Sequence, residues 1–330
     1  MTRRIDEGFQ QFIDDEIRSN LDLVEEEIFR HVGGDSSLDE IASYLIRSGG
    51  KRIRPALLIV AYRAVGGEDI QEVVPIAAAI ELIHTASLIH DDINDGAELR
   101  RGILTTNRKF GEIRALVAGD YLFVKAFQIG GMYPPEVIQM IADACQDLAE
   151  GEILQNENLY RVHMDRSVYE EIIRKKTAAL IRASLKVGGW LGGATPEQLD
   201  ALVAFGDCIG TVFQITDDIL DVRGEVEKTG KPRGSDIREG QITLPAIRAL
   251  ETLEGADRDE LVRLLTHREV SEVNVDRAID LIERSGAVEY AFEQAERLTE
   301  HCVEVLHVLP ESEYRDRLEL AVETILQRAY

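Results

Sequence analysis

The sparse and uneven placement of proline is the feature that most constrains the fold of this chain. The sequence has 330 residues but only 8 prolines, and none falls in 76–133, 136–195 or 246–309. Proline interrupts the interior of a helix, whereas strand-rich chains carry turn residues about every 8–12 positions. Such long stretches without proline therefore favour long helices over strands.

Local patterns agree with a helical fold. Between 291 and 309, apolar residues recur three or four positions apart, at Ala295, Leu298, Cys302 and Leu306, which is typical of one helix face. The segment 195–198 (Thr-Pro-Glu-Gln) is typical of a helix start, because the threonine can cap the helix and the glutamine can cap in return. Pro310 marks the end of the preceding helix.

Glycine pairs divide the helical stretches. We expect helix-to-helix turns at Gly33-Gly34, Gly49-Gly50, Gly66-Gly67, Gly130-Gly131 and Gly192-Gly193. No long linker rich in serine or proline divides the chain. We therefore predict an all-α fold of ten or more helices, mostly antiparallel neighbours, in a single domain over 1–330.

The charge balance excludes several partners. Lys+Arg 37 against Asp+Glu 61 leaves a net charge of −24. Binding to nucleic acid or to anionic lipid needs a basic face, so we expect neither partner. Only 8 of the 37 basic residues are lysine, and the acidic residues are spread along the chain. Both a salt-adapted surface and a mildly acidic protein from an arginine-rich proteome explain this composition.

Cysteine usage and apolar runs indicate the compartment. The three cysteines, Cys145, Cys208 and Cys302, lie far apart, and no CxxC motif occurs, so we expect neither a disulfide framework nor a zinc site. The N-terminus, MTRRIDEGFQ, lacks the apolar centre of a signal peptide. No uncharged apolar run approaches the ~18 residues of a membrane span. We expect a cytoplasmic protein without a transmembrane segment.

Two aspartate clusters each follow an apolar stretch. The first contains Asp91, Asp92 and Asp95, and the second contains Asp217, Asp218 and Asp221. The first and last aspartate of each cluster share a helix face, where their charges repel unless a cation compensates them. Oxygen ligands next to a substrate phosphate favour Mg²⁺. A solvated acidic helix end is the plain alternative, but two copies favour a functional role.

Basic residues gather near glycine at a few places. They are Lys51, Arg52 and Arg54 in GGKRIRP, Arg100 and Arg101 in LRRG, Lys175 and Lys176, and Lys231 in GKPRGSD. Cationic side chains beside glycine amides are suited to binding a diphosphate. Any one of these sites is ordinary surface charge in isolation; their combination with two aspartate clusters predicts a diphosphate-binding enzyme.

With these motifs, the sequence closely resembles the trans-isoprenyl diphosphate synthases, also called polyprenyl synthetases. The matching motifs, in chain order, are GGKRIRP (49–55), His84, DDIND (91–95), LRRG (99–102), AGDYL (118–122), GEILQ (151–155), KT (176–177), FQITDDILD (213–221), GK (230–231), GSD (234–236) and TLP (243–245). The resemblance implies a large helical bundle around a deep central cavity, usually in a homodimer. It implies condensation of isopentenyl diphosphate with an allylic diphosphate.

The resemblance also implies roles for individual residues. Asp91, Asp95 and Asp217 would hold Mg²⁺, three ions per active site with substrate bound, and Asp92, Asp218 and Asp221 would support them. Arg100, Lys176 and Lys231 would grip the allylic diphosphate, with Thr177 beside them. Lys51, Arg54, His84 and Arg101 would hold isopentenyl diphosphate. Phe213 and Gln214 would line the reacting centre.

One position departs from the family pattern, and two rival functions stay open. Gln241 stands where the family commonly has lysine, which removes one positive charge near the allylic diphosphate. A non-catalytic partner subunit of a hetero-oligomer would normally have lost metal-binding aspartates, and this chain keeps them all. A terpene cyclase would share the first acidic motif but would need neither the second nor GGKRIRP.

Small residues precede the first aspartate cluster. In the family, bulk at this point limits the growing prenyl chain, and here Ala86 and Ser87 lie five and four residues before Asp91. At ~1.5 Å per residue, these positions lie roughly 6–8 Å from the metal site. The resemblance therefore implies geranylgeranyl diphosphate or a longer product, unless another helix forms the floor of the cavity.

Overall fold

The computed structural model describes residues 12–224, 233–268 and 271–328. These residues contain sixteen α-helices, which confirms the all-α prediction. The helices are α1 (Asp15–Val32), α2 (Ser37–Arg47), α3 (Ile53–Ala64), α4 (Val74–Asn94), α5 (Thr106–Phe110), α6 (Glu112–Gly130), α7 (Pro135–Glu157), α8 (Arg166–Ile172), α9 (Ala178–Leu191), α10 (Pro196–Arg223), α11 (Ser235–Glu239), α12 (Leu244–Thr252), α13 (Gly255–Thr266), α14 (Glu272–Arg284), α15 (Ala287–Leu306) and α16 (Glu313–Gln327).

Three smaller elements complete the described secondary structure. A 3₁₀ turn covers Ile70–Glu72, and a π-helical segment, Ile173–Thr177, joins α8 to α9. Two short strands, β1 (Leu99–Arg100) and β2 (Ile103–Leu104), pair antiparallel, with Leu99 opposite Leu104. The hairpin is the one departure from helix that the sequence pattern did not indicate within the described residues.

The predicted helix boundaries are confirmed. At the start of α10, the Gln198 amide donates to the Thr195 hydroxyl oxygen over 3.3 Å, and the Thr195 amide donates to the Gln198 side chain over 2.9 Å. This reciprocal pair is the expected capping box. The helices α6 and α9 end at or beside the glycine pairs 130–131 and 192–193. Glycine and capping residues therefore set the lengths of the helices as predicted.

The chain divides into two compact units, each built from several sequence segments. The first comprises 1–145, 180–204 and 306–320. Its centre is α4, whose apolar residues are buried almost without interruption from Val74 to Ile89. Helix α6 packs closely on α4 because Gly119 leaves room for the His90 ring: a Cβ on Gly119 would lie 2.2 Å from His90 Nε2. This close packing holds the end of α4, where the first aspartate cluster lies.

The second unit comprises 146–179, 205–305 and 321–330. Its core joins residues of α10 such as Ile215 and Ile219 to Ile279 of α14 and Ala291 of α15. The core buries the apolar face of α10 and thereby fixes the direction of the second aspartate cluster. The prediction of one domain over 1–330 stays a prediction.

Two segments are long and apolar enough to cross a membrane, Ile70–Asn94 and Pro196–Arg223. Within their most apolar windows, 72% and 56% of the residues are buried inside the protein. Burial of this kind is typical of the central helices of a folded domain. These two helices are therefore weak evidence for a membrane span.

The cysteine pattern implied no disulfide framework, but two of the three cysteines form one pair. Cys208 on α10 and Cys302 on α15 form a disulfide, with Cα atoms 5.7 Å apart. Both positions are buried, and 94 residues separate them in the sequence. Spacing rules could not reveal the pair because helix packing alone brings the two residues together.

Candidate active site

The three carboxylates of the first aspartate cluster, at the carboxyl end of α4, differ in their exposure to solvent. Asp92 is fully buried, Asp91 is half-buried and Asp95 is exposed. Arg100 donates to Asp92 Oδ1 from Nε over 2.8 Å and from Nη2 over 2.5 Å. The Asn107 amide donates to the backbone carbonyl of Asp92 over 3.2 Å. The middle aspartate thus anchors Arg100, and the outer two are more accessible.

The β1–β2 hairpin positions the second arginine. Arg101 and Gly102 form its tip with φ angles of 53° and 76°, as a two-residue turn of this kind demands. A left-handed conformation is unfavourable for arginine and is found mostly at functional sites. The Arg101 guanidinium donates to the carbonyl of Gly49. The guanidinium of Arg101 packs directly against Gly50. A Cβ atom at position 50 would lie 3.1 Å from both Nη atoms of Arg101, so glycine leaves the room that this contact needs.

A group of positive charges surrounds His84 in the first unit. Burial lowers the pKa of His84 well below its usual value, and the charges of Arg54 and Arg101 lower it further. Burial also lowers the pKa of Arg54 to about 10, with Arg101 contributing in the same direction. Within the described residues, Nε of Arg54 has no hydrogen-bond partner. A buried donor that lies near other cationic side chains is suited to binding an anion.

Arg52, in the middle of GGKRIRP, has a different task. Its side chain is buried and donates to Glu81 Oε1 over 2.8 Å and to Glu25 Oε1 over 3.0 Å. Its backbone is left-handed, with φ 51°. The Glu81 carboxylate comes from α4, so the ion pair fastens the loop before α3 to α4. Arg52 therefore positions Lys51 and Arg54, and the sequence pattern did not separate it from them.

The second aspartate cluster, on α10, also buries its middle member. Asp218 is 1% exposed, and both oxygens accept hydrogen bonds: Tyr169 donates over 2.6 Å and Gln214 over 2.8 Å. Burial raises the pKa of Asp218 to about 7, and the neighbouring Asp217 and Asp221 contribute to the rise. Burial likewise raises the pKa of the Tyr169 hydroxyl, with Asp218 adding to it. Asp218 is therefore held by neutral donors.

The hydrogen bonds continue from Asp218 to the π-helical segment. The Gln214 amide donates to Asp218, and its oxygen accepts from the Thr177 hydroxyl over 2.8 Å. This chain of hydrogen bonds orients the Gln214 amide and brings Gln214 and Thr177 together. Tyr169 at the far end was missed, because a tyrosine seven residues before the KT motif carries no recognisable signal.

Two glycines let neighbouring helices approach the π-helical segment. A Cβ on Gly151 of α7 would lie 2.8 Å from the Lys176 backbone nitrogen, and one on Gly210 of α10 would lie 2.7 Å from Ala178 Cα. Lys176 forms an ion pair with Glu152, the second residue of GEILQ. π-Helical turns occur frequently at functional sites. In the GEILQ motif, Gly151 therefore leaves room for the backbone of Lys176, and Glu152 orients its side chain.

Asp221, the last aspartate of the second cluster, caps α11. Its carboxylate accepts from the backbone amides of Ser235 over 3.0 Å and Asp236 over 3.3 Å. The GSD motif is thereby attached to α10. The adjoining Gln241 amide donates to Glu239 over 2.8 Å. Lys231, predicted to bind the allylic diphosphate, lies outside the described residues.

Arg328, just after α16, reaches the second cluster without any signal in the sequence. Its Nη1 lies 3.3 Å from Asp217 Oδ1, and its guanidinium carbon lies 5.6 Å from the centre of the Phe213 ring. The C-terminal part of the sequence offered only helical periodicity. A contact across more than a hundred residues depends on packing and could not be read from spacing.

The donor set of each cluster suits a hard cation. Across the part of the chain that the structure describes, no three histidine, cysteine or carboxylate side chains converge on one point. Mg²⁺ needs no such protein cage, since it commonly takes one or two carboxylates and completes its shell with phosphate oxygens and water. Asp91 and Asp95 in the first cluster and Asp217 in the second are more exposed than the buried middle aspartates. The residues present therefore fit Mg²⁺ that binds with a diphosphate.

Comparison with known proteins identifies similar sequences and folds. The family model "Polyprenyl synthetase" matches residues 35–282. A short chain isoprenyl diphosphate synthase of Methanothermobacter thermautotrophicus is 40% identical over 328 residues, covering 98% of this chain and 97% of that protein. Heptaprenyl diphosphate synthase component 2 of Geobacillus stearothermophilus is 36% identical, covering 92% and 93%. The crystal structure of a Caulobacter crescentus polyprenyl synthase, complexed with calcium and isoprenyl diphosphate, superposes with a TM-score of 0.91 at 31% identity, covering 100% of both chains.

Proposed function

We propose a substrate and metal assignment from the premise that the chain belongs to the polyprenyl synthetase family. As a member with this fold, it is a prenyltransferase that condenses isopentenyl diphosphate with an allylic diphosphate. The observation that carries the assignment is that each acidic cluster buries and anchors its middle aspartate, whereas Asp91, Asp95 and Asp217 keep some solvent exposure. The cationic group around His84 supports a separate diphosphate site.

Isopentenyl diphosphate binds at the cationic group in the first unit. Arg54 supplies a buried donor, Arg101 is held by the hairpin tip, and Lys51 lies on the same loop as Arg54. His84 is neutral here because of its lowered pKa, so it donates one hydrogen bond and adds no charge. This arrangement favours a dianionic or trianionic group over a neutral ligand.

The allylic diphosphate binds with Mg²⁺ at the acidic clusters. Asp91, Asp95 and Asp217 hold the ions, three with substrate bound, and Arg100, Lys176 and Lys231 grip the phosphate oxygens. Mg²⁺ supplies charge stabilisation to the departing diphosphate. Asp92 and Asp218 act through Arg100 and Gln214, whose side chains they orient.

The reaction needs no side-chain nucleophile. The allylic carbon–oxygen bond breaks, and its electron pair leaves with the diphosphate, which the cationic side chains stabilise. The isopentenyl double bond then forms a carbon–carbon bond with the allylic cation. The released diphosphate takes the proton that the new cation loses. Phe213, Gln214 and Thr177 line the cation's path, and the Gln214 oxygen is oriented by Thr177.

A homodimer in the cytoplasm is the proposed assembly. Helix α6 exposes an apolar stripe at helical spacing, formed by Ile113, Leu116, Val117, Val124 and Phe127, with exposures between 47% and 80%. The stripe is interrupted by the exposed Asp120, and several large apolar side chains exposed on one helix indicate an interaction surface. Sedimentation equilibrium of the purified chain tests it, and Phe127→Glu should shift a dimer towards monomer. A chain that is monomeric alone and assembles with a different subunit would favour the hetero-oligomer.

The proposed product is geranylgeranyl diphosphate or longer. Ala86 is fully buried on α4, and the Ser87 hydroxyl donates to the His84 carbonyl. Ala86→Phe should shorten the product without abolishing turnover, because an aromatic ring fills space that a methyl group leaves. Melting temperature should fall modestly, since overpacking costs about 1–3 kcal/mol. Unchanged product length in this variant, with Ser87→Ala as control, would place the floor elsewhere.

Product analysis tests the whole assignment. The purified protein receives Mg²⁺, isopentenyl diphosphate and a geranyl or farnesyl primer, and the products are separated by chain length. Elongated diphosphates support a synthase. Cyclic hydrocarbons would indicate a terpene cyclase, and no turnover without a second subunit would indicate a partner protein.

A further inference from the structure

Arg328 lies along one face of α10 in the second unit. Its side chain is 13% exposed, with Nη1 3.3 Å from Asp217 Oδ1 and the guanidinium carbon 5.6 Å from the Phe213 ring centre. Phe213 and Asp217 are one helical turn apart, so both contacts come from the same face. The guanidinium therefore has an ionic and an aromatic contact at once, which defines its position.

The other polar groups nearby are turned towards protein partners. Asp218 accepts from Tyr169 and Gln214, and Asp221 accepts from backbone amides of α11. Asp217 is the aspartate of this cluster that faces Arg328. At 3.3 Å, the guanidinium takes up space beside Oδ1, and a metal ion bound to that oxygen would be repelled by it.

We infer that Arg328 is the counter-ion of Asp217 in the metal-free protein and that a divalent ion has to displace it from the carboxylate. The inference rests on the proposed role of Asp217 as a metal ligand. It gives Arg328, just after α16, a direct influence on metal affinity. Arg328 is 13% and Asp217 37% exposed. Because the pair is partly desolvated, breaking it opposes metal binding more than breaking a fully exposed pair would.

Metal binding without substrate tests this. Mn²⁺ is titrated into the full chain at moderate KCl, and the free ion is followed by its electron paramagnetic resonance signal. Arg328→Gln should lower the Mn²⁺ dissociation constant about fivefold. The matched control is Arg297→Gln, which removes the same charge from a residue that is 62% exposed and 3.9 Å from Glu293. It should change the constant less than about twofold. Arg328→Lys keeps the charge and should stay near wild type.

The outcomes separate this inference from the proposed function. Equal constants for Arg328→Gln and Arg297→Gln, or weaker binding in Arg328→Gln, overturn the inference. Asp217→Asn should weaken Mn²⁺ binding. If it binds like wild type, the metal assignment of Asp217 fails and the inference falls with it. If it weakens binding while Arg328→Gln does not strengthen it, the inference alone fails.

Discussion

The first acidic cluster holds its middle carboxylate with a guanidinium, whereas the second holds the equivalent carboxylate with a phenol and an amide. Asp92 lies against Arg100, and Asp218 lies between Tyr169 and Gln214. A cation stabilises the ionised carboxylate, whereas burial beside neutral donors raises its pKa. Two nearly identical sequence motifs thus give their middle aspartates different partners, and the flanking aspartates keep the same proposed role.

The largest expected effect falls on the outer aspartates. Asp91→Ala and Asp217→Ala should each reduce kcat/KM by about 100-fold or more, because each removes a ligand of the metal that stabilises the leaving group. Both variants should stay folded, since each loses a carboxylate that repels its neighbours, which in Asp217→Ala offsets the loss of the ion pair with Arg328. Condensation assays and melting curves check this, and EDTA should stop the reaction until Mg²⁺ is restored. Full activity in either variant would contradict the assignment.

The middle aspartates should differ in their effect on stability. Asp92→Asn removes the charged partner of a largely buried guanidinium and should reduce the free energy of unfolding by about 3 kcal/mol. Asp218→Asn keeps a hydrogen-bonding group of the same shape and should cost less than about 1 kcal/mol. Urea denaturation in EDTA measures both values. Equal losses would show that the two anchors are alike in spite of their partners.

The pH dependence of stability should also separate the middle aspartates. The pKa of Asp218 is raised to about 7 in the folded protein from its usual 3.8, so the folded state holds a proton that the unfolded chain releases. Stability from this group is present at low pH and is lost as pH rises towards 7 and beyond. Asp218→Asn should flatten the decline in melting temperature between pH 5 and pH 8, measured in EDTA. An unchanged slope in Asp218→Asn would count against the raised pKa.

Salt concentration should have the smallest effect, and it should change the melting temperature of the wild type and of the variants alike. The net charge of −24 causes self-repulsion that is unscreened at low ionic strength, since the Debye length falls from ~30 Å at 0.01 M to ~3 Å at 1 M. The melting temperature of the wild type should rise with KCl, and Asp92→Asn and Asp218→Asn should rise in parallel. A flat response in all three would contradict a salt-adapted surface.

Much of the fold and the site could be predicted from local patterns. Proline placement, capping residues and glycine pairs predicted the helices because helix ends depend on neighbouring residues. The aspartate clusters were visible because carboxylates at helical spacing need compensation. Such rules could not tell Asp92 from Asp91, since burial of one member depends on the hairpin that follows.

The missed features all depend on distant parts of the chain. Tyr169 contacts Asp218 across 49 residues, and Cys208 pairs with Cys302 across 94. Arg328 reaches Asp217 only because α16 packs with its end near α10. The anchoring role of Arg52 was not predicted because its partner Glu81 belongs to another helix. In each case, the deciding contact is created by packing.

The π-helical segment has a consequence for helical phase. Eight residues separate Tyr169 from Thr177, which in an uninterrupted α-helix is about 2.2 turns and would point the two side chains in different directions. A π-helical turn contains more residues than an α-helical turn, so the segment Ile173–Thr177 reduces the rotation between the two residues to nearly two full turns. Both side chains therefore reach the same face of α10. The number of residues in this segment, more than their identity, keeps the two hydroxyls aligned. Removing one residue there would rotate Tyr169 away from Asp218 while leaving every side chain of the site in the sequence.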